Sequence, residues 1–236
     1  MREKIVGIIG GMGPEATVDL MARIIKATPA RDDVDHLRML VDNNPKVPSR
    51  IKALIDGDGE SPLPCLQEMA RRLAAWGADF LAMPCNTAHY YHRDIQACVA
   101  IPLLDMIDAA AREVAGRVPN LKTVGLLAST AVLNLRLYEK RFAESGVALV
   151  PPADNFQKGV MQAIQRIKTS SYGSEVVGAV QAAADHLAGI GAEALLVACT
   201  ELSIIVREIR AAVKVFDSAQ ILAEAVVKEA RNLVPA

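Results

Sequence analysis

Two segments of this chain repeat one another at a fixed interval, and each carries a cysteine at the same point. GADFLAMPCNTAH covers residues 77–89 and GAEALLVACTELS covers residues 191–203. Aligned without gaps at a spacing of 114 (199 − 85), Gly77 falls on Gly191, Asp79 on Glu193, Leu81 on Leu195 and Cys85 on Cys199. Further along, Arg93, Asp94 and Ile95 fall on Arg207, Glu208 and Ile209. A second echo links KIVGII at 4–9 with KTVGLL at 122–127, Gly7 matching Gly125. A duplicated half of this kind constrains the chain to two similar lobes. Each lobe then bears a thiol at an equivalent strand end, and two such thiols can reach one cleft from opposite sides. That is the layout a two-base proton-transfer enzyme needs.

Short apolar runs alternate with helical patterns along the chain. Ile5–Ile9 reads as a strand running into a glycine turn, and Pro14 sits where a helix's first turn tolerates it, ahead of a helix over 15–26. Further strands are expected at 37–41, 80–83, 101–104, 122–127, 147–150, 194–197 and 213–216. Helices are expected at 66–76, 106–118, 132–145, 156–168, 175–190 and 219–233, with loops at 42–50 and 56–64. Continuous apolar strands with helical crossovers call for parallel sheets covered on both faces. The fold class is therefore α/β: two pseudo-symmetric parallel-sheet domains with the active site in the cleft between them. Residues 1–104 plus 217–236 form the first domain, with the C-terminal helix returning to it, and residues 105–216 form the second.

Composition removes several function classes. The 236 residues carry a net charge of −1 and show no basic stripe, which gives no reason to expect nucleic acid as a partner. No apolar run reaches membrane-spanning length, and the N-terminus enters a strand pattern without a signal-peptide cleavage region. A cytoplasmic enzyme with no membrane partner is expected. Its four cysteines are then expected to be free rather than bridged.

In open parallel sheets, ligands bind beyond the carboxyl ends of the strands. Candidate site positions are therefore Gly10–Gly13, Asp42–Arg50, Pro84–His89, Ala128–Thr130 and Cys199–Glu201. Taken singly, any cysteine is well explained as a small buried hydrophobe, and Cys65 and Cys98 are read so. Cys85 and Cys199 differ because each follows a strand and precedes polar residues, Asn86-Thr87 and Thr200-Glu201. A helix N-terminus there would lower the thiol pKa and favour an anionic ligand. No metal is expected, because no Cys-x-x-Cys pair exists and His89 alone leaves a zinc site short of ligands. The turn Gly11-Met12-Gly13-Pro14-Glu15-Ala16 fits a relaxed dinucleotide fingerprint, with Asp42 as the ribose acid. Pro14 and Glu15, however, stand where a pyrophosphate would meet the helix. The turn is instead read as closing on a small carboxylate. Composition does not single out Arg50 or Lys168 among the 26 lysines and arginines.

These residues together resemble the cofactor-independent aspartate/glutamate racemases over nearly the whole chain. The resemblance rests on GIIGGMGPEAT at 7–17, NNPKVPSR at 43–50, MPCNTAH at 83–89, GLLAST at 125–130, IQRIK at 164–168 and ACTEL at 198–202. It implies no pyridoxal phosphate, no other cofactor and no metal, and a homodimer acting on a small acidic amino acid. It implies Cys85 and Cys199 as the acid/base thiols and Arg50 and Lys168 as binders of the substrate carboxylate. Met12, Gly13, Asn86, Thr87 and Thr200 match the family's contacts to the α-carboxylate. Glu201, where the cell-wall glutamate racemases carry histidine, points to the aspartate branch. The intact Cys85 argues against relatives that carry threonine there. The segment at 128–135 departs from the family's Thr-rich version, which bears on Thr130 and the substrate preference.

The reaction so implied is interconversion of L- and D-aspartate, with glutamate a further substrate. A hydantoin racemase or maleate isomerase of the same superfamily would also use one or both thiols. A non-catalytic two-lobed binding module would need a cleft but gives no reason for two matched thiols.

Overall fold

The apolar runs, that at 101–104 apart, become parallel strands, and they lie in two separate sheets. The structure, a computed structural model, describes residues 3–232. It divides into two units, one comprising the chain up to Met106 and again from Gln220, the other Ile107–Ala219.

In the first unit, β1 (Val6–Gly10) lies between β2 (Met39–Asn43) and β3 (Phe80–Ala82), all parallel, in the order β2-β1-β3. Helices α1 (Pro14–Ala27) and α2 (Leu63–Ala75) connect them, and a short α3 (His92–Gln96) follows the third strand. All five residues of β1 and all three of β3 are buried, as strands covered on both faces must be. The core on the α2 side gathers Ile9, Leu66, Met69, Leu73, Leu81 and Met83. At the end of the second unit's sheet the chain enters α10 (Ser218–Ala230), whose last residue accepts from the Lys4 amide at 2.9 Å. Glu229 of that helix also pairs with the Lys4 ammonium. Leu233, the expected end of this helix, lies outside the described residues.

The second unit repeats the pattern. Its strands β4 (Thr123–Ala128), β5 (Ala148–Val150), β6 (Ala194–Ala198) and β7 (Lys214–Asp217) run parallel in the order β5-β4-β6-β7. Helix α4 (Met106–Arg117) leads in, and α7 (Asp154–Lys168) and α8 (Ser174–Gly189) pack against each other beside the sheet. The core joins Leu127, Val160, Ile164, Ile167, Val180 and Leu195. The sequence repeat has a packing cause. A Cβ on Gly7 would stand 2.7 Å from Leu81 and 3.1 Å from Leu73; one on Gly125 would stand 2.6 Å from Leu195 and 3.0 Å from Leu187. Both glycines let a strand neighbour and the helix behind it close onto the central strand.

Two expected elements differ, and one appears that was not expected. The strand at 101–104 reduces to one parallel bridge between Leu81 and Leu103, because Pro102 has no N–H to extend a ladder. The helix over 132–145 is broken into α5 (Thr130–Asn134) and α6 (Glu139–Ala143), with Arg136 between them in the left-handed region at φ 51°. A π-helical turn occupies Lys52–Asp56 in front of the expected loop. Among the described residues, no helix is long and apolar enough to cross a membrane.

Candidate active site

Within each unit the parallel strands point their carboxyl ends to one edge, and the candidate residues follow those ends. In the first unit β1 pairs in register with β2, Gly10 opposite Asn43, so the glycine turn meets the loop after β2. Gly11 has φ +90°, and a Cβ there would lie 2.2 Å from the Asn44 carbonyl carbon and oxygen. Thr17 closes the turn from α1: its Oγ1 accepts from the Gly11 amide at 2.9 Å and lies 3.1 Å from the Gly13 carbonyl oxygen, to which it donates. The glycines therefore have a local reason, close packing of the turn on the Asn44 backbone. Met12 is buried, and Gly13 caps α1 with extended backbone and no side-chain cap.

Cys85 comes three residues after β3 and is buried. Asn86 adopts helical backbone and leads into a 3-10 turn over Thr87–Tyr91. Asn86 is buried and Thr87 half-buried. His89, four residues beyond the cysteine, lies 2.8 Å through Nδ1 from the Cys85 carbonyl oxygen. Arg50 opens the turn that follows the 44–49 loop; its Nη1 donates to the carbonyls of Val47 and Pro48 at 3.4 and 3.2 Å. The guanidinium is thus anchored to its own loop.

In the second unit Cys199 follows β6 directly and stands at the head of α9 (Thr200–Ile205). Its Sγ donates to Glu201 Oε2 at 3.1 Å. The other carboxylate oxygen of Glu201 lies 3.8 Å from Lys168 Nζ, at the last residue of α7. Thr200 is buried beside them. The structure thus joins Cys199, Glu201 and Lys168 in one line, three of the residues singled out in the sequence. The expectation of a thiol with lowered pKa is not met here. Burial pushes the Cys199 thiol well above its usual range and the Glu201 carboxylate adds to this, while Lys168 opposes them.

Thr130 begins α5. Its Oγ1 accepts from Gln157 Nε2 at 3.2 Å, and the same Gln157 nitrogen donates to the Ala128 carbonyl at 3.0 Å. Thr130 faces a concavity of about 410 Å³ lined also by Asp154, Gln157, Lys158 and Met161, and neither Cys199 nor Glu201 lines it. Among the described residues no group of three or more His, Cys, Asp or Glu side chains is placed to hold a metal.

Sequence reasoning missed two supporting contacts. One is the tie from His89 to Cys85, signalled only by their i, i+4 spacing. The other is Ser203, whose Oγ donates to Asp217 Oδ1 at 2.6 Å and also lies 3.3 Å from the Cys199 carbonyl oxygen. Cys65 and Cys98 are free and half-buried, and the Cys65 sulfur accepts from Asn44 Nδ2 at 3.5 Å, just beyond β2.

Known proteins share this fold. A model of the Asp/Glu/Hydantoin racemase family matches residues 9–226. The structure of Picrophilus torridus aspartate racemase superposes with a TM-score of 0.83 at 33% identity, covering 96% of this chain and 94% of that one. The broad specificity amino-acid racemase RacX of Bacillus subtilis (strain 168) is 27% identical over 94% of this chain and 96% of its own. Glutamate racemase from Francisella tularensis shares the fold, with a TM-score of 0.65 at 18% identity over 97% of this chain and 81% of that one. With the family model running from Ile9 to Val226, across both sheets and both strand-end cysteines, the chain belongs to the Asp/Glu/Hydantoin racemase family and is a racemase.

Proposed function

We propose that this racemase interconverts L- and D-aspartate, with glutamate as a second substrate, using Cys85 and Cys199 as its two acid/base groups. The observation that carries the reading is the pair of buried thiols at matched strand ends, one of them already hydrogen-bonded to a carboxylate backed by an ammonium. Likeness to a solved aspartate racemase supports the substrate, and likeness to a broad-specificity racemase supports a wider range.

The α-proton of an amino acid is too weakly acidic for a lone base at neutral pH. A thiolate on one face takes it: the Cα–H bond breaks and an S–H bond forms. The thiol on the other face gives up its proton, and a new Cα–H bond forms with inverted configuration. Proton transfer by positioned groups contributes on the order of 10²–10⁴-fold. Backbone amides at Met12 and Gly13, with Asn86, Thr87 and Thr200, hold the α-carboxylate and stabilise the charge that develops on it. Arg50 and Lys168 take the second carboxylate, for which a planar guanidinium is well suited. The enzyme works in the cytoplasm as a homodimer.

Incubation of L-aspartate with the protein in deuterated water tests this. D-Aspartate labelled at Cα is expected. Absence of both exchange and optical change, with turnover of a hydantoin instead, would move the activity to another branch of the family.

A further inference from the structure

We propose that Glu201 is a positioning residue that makes the two thiols unequal, holding Cys199 as the protonated member of the pair in the resting enzyme. The inference rests on the two-thiol reading above. The sequence repeat places Thr87 where the second half has Glu201, so only one cysteine has a carboxylate two residues on. That carboxylate is buried, and its Oε2 accepts the Cys199 S–H at 3.1 Å. Lys168, reaching from α7, stands 3.8 Å from the opposite oxygen and orients the group. The other acid near the head of α9 is Asp217, at the end of β7. Its Oδ1 accepts from Ser203 Oγ at 2.6 Å and from the Ala219 amide at 3.0 Å, so it is engaged away from the sulfur. Glu201 and Lys168 are therefore the charges that act on the thiol, with opposite signs.

The unequal environment has a use. A two-base reaction needs one thiolate and one thiol at once. Two equal thiols hold that form over a narrow pH range, because the second proton leaves soon after the first. Pushing one of them up separates the two steps and widens the working range.

The test is alkylation of the full-length protein with iodoacetamide across pH, reading Cys85 and Cys199 separately by peptide mass. Glu201→Gln keeps an oxygen acceptor but removes the charge. Its Cys199 midpoint is expected to move to lower pH, and that of Lys168→Met to higher pH, with the Cys85 midpoint unmoved in both. The alkaline limb of kcat/KM on aspartate is expected to move to lower pH in Glu201→Gln. Lys168 is partly exposed, so its variant keeps the test alive if Glu201→Gln does not fold. A Cys199 midpoint that stays put in both variants, or moves the same way in both, overturns the proposal. The alkylation readout needs no turnover. A shifted midpoint in a protein inactive on aspartate would refute the proposed substrate alone, and an unmoved midpoint in an active racemase would refute the role of Glu201 alone.

Discussion

The imidazole of His89 holds the backbone of Cys85, with Nδ1 at 2.8 Å from the cysteine's carbonyl oxygen. The other ring nitrogen, Nε2, accepts the Met106 amide at 3.1 Å. A nitrogen that accepts carries no proton, so Nδ1 is the donor and one neutral tautomer is fixed. Burial pushes the His89 pKa down, and the Cys85 carbonyl opposes this only in part. One neutral ring therefore ties the segment after β3 to the first residue of α4.

Protonating that ring would put a second proton on Nε2, against the Met106 amide. The folded state therefore binds this proton less well than the unfolded chain does. Between the lowered folded pKa and the ordinary histidine value near 6.5, the unfolded state holds more protons, so this contribution to stability falls as pH drops. Urea midpoints measured from pH 8 down to pH 5 should decline in the native protein. In His89→Gln the decline should be shallower, and stability at pH 8 lower by about 1–3 kcal/mol for the lost buried bonds. A pH dependence identical in both proteins would show that His89 does not titrate with folding.

Gly11 and Gly77 separate two costs of a side chain. Both have positive φ, at 90° and 103°. A Cβ on Gly77 meets nothing within 4 Å, whereas one on Gly11 would overlap the Asn44 backbone. Gly77→Ala should cost about 1 kcal/mol, the left-handed penalty alone. Gly11→Ala must also push the 44–49 loop away and should cost several times that, on the order of 3 kcal/mol or more. Thermal unfolding of the two variants side by side is the measurement, and equal losses would contradict the close approach.

Much of this fold was legible because buried parallel strands are short, continuous and apolar, and the chain writes them twice. Where the reading failed, an apolar pattern masked the deciding residue, as at Pro102, or no residue marked the break, as at Arg136. Ile101–Leu104 is as apolar as a strand, yet its pairing is confined to bonds with Leu81 on either side of Leu103. The break at Arg136 carries no glycine or proline to announce it. At the site, the repeat picked out Cys85 and Cys199, because symmetry distinguishes them from cysteines that merely fill apolar space. Burial alone does not, since both sit in the apolar clusters of their units. The bond from Cys199 to Glu201 was not legible, because i, i+2 residues meet only where extended backbone turns into helix, as it does at Cys199.

Replacing either strand-end thiol should stop full turnover. Serine is nearly isosteric but far less acidic, so it neither takes nor returns the α-proton usefully. Cys85→Ser and Cys199→Ser should each lower racemisation by at least about 10²-fold, while Cys65→Ser and Cys98→Ser stay near the native rate. Optical rotation of aspartate follows all four. Full activity in both strand-end variants would remove the two-thiol mechanism.

Arg50 offers the clearest separation of binding from chemistry. Its guanidinium is fixed by bonds from Nη1 to two carbonyls of its own loop, and a planar fork held this way presents paired donors at little further entropic cost. Arg50→Lys keeps the charge but loses the fork and one of the anchors. If Arg50 grips the side-chain carboxylate, KM for aspartate should rise by about tenfold, the equivalent of roughly 1.4 kcal/mol of binding. The kcat should change much less, because the reacting Cα lies elsewhere on the substrate. A loss confined to kcat, with KM unchanged, would place Arg50 in the chemical step and leave the second carboxylate to Lys168.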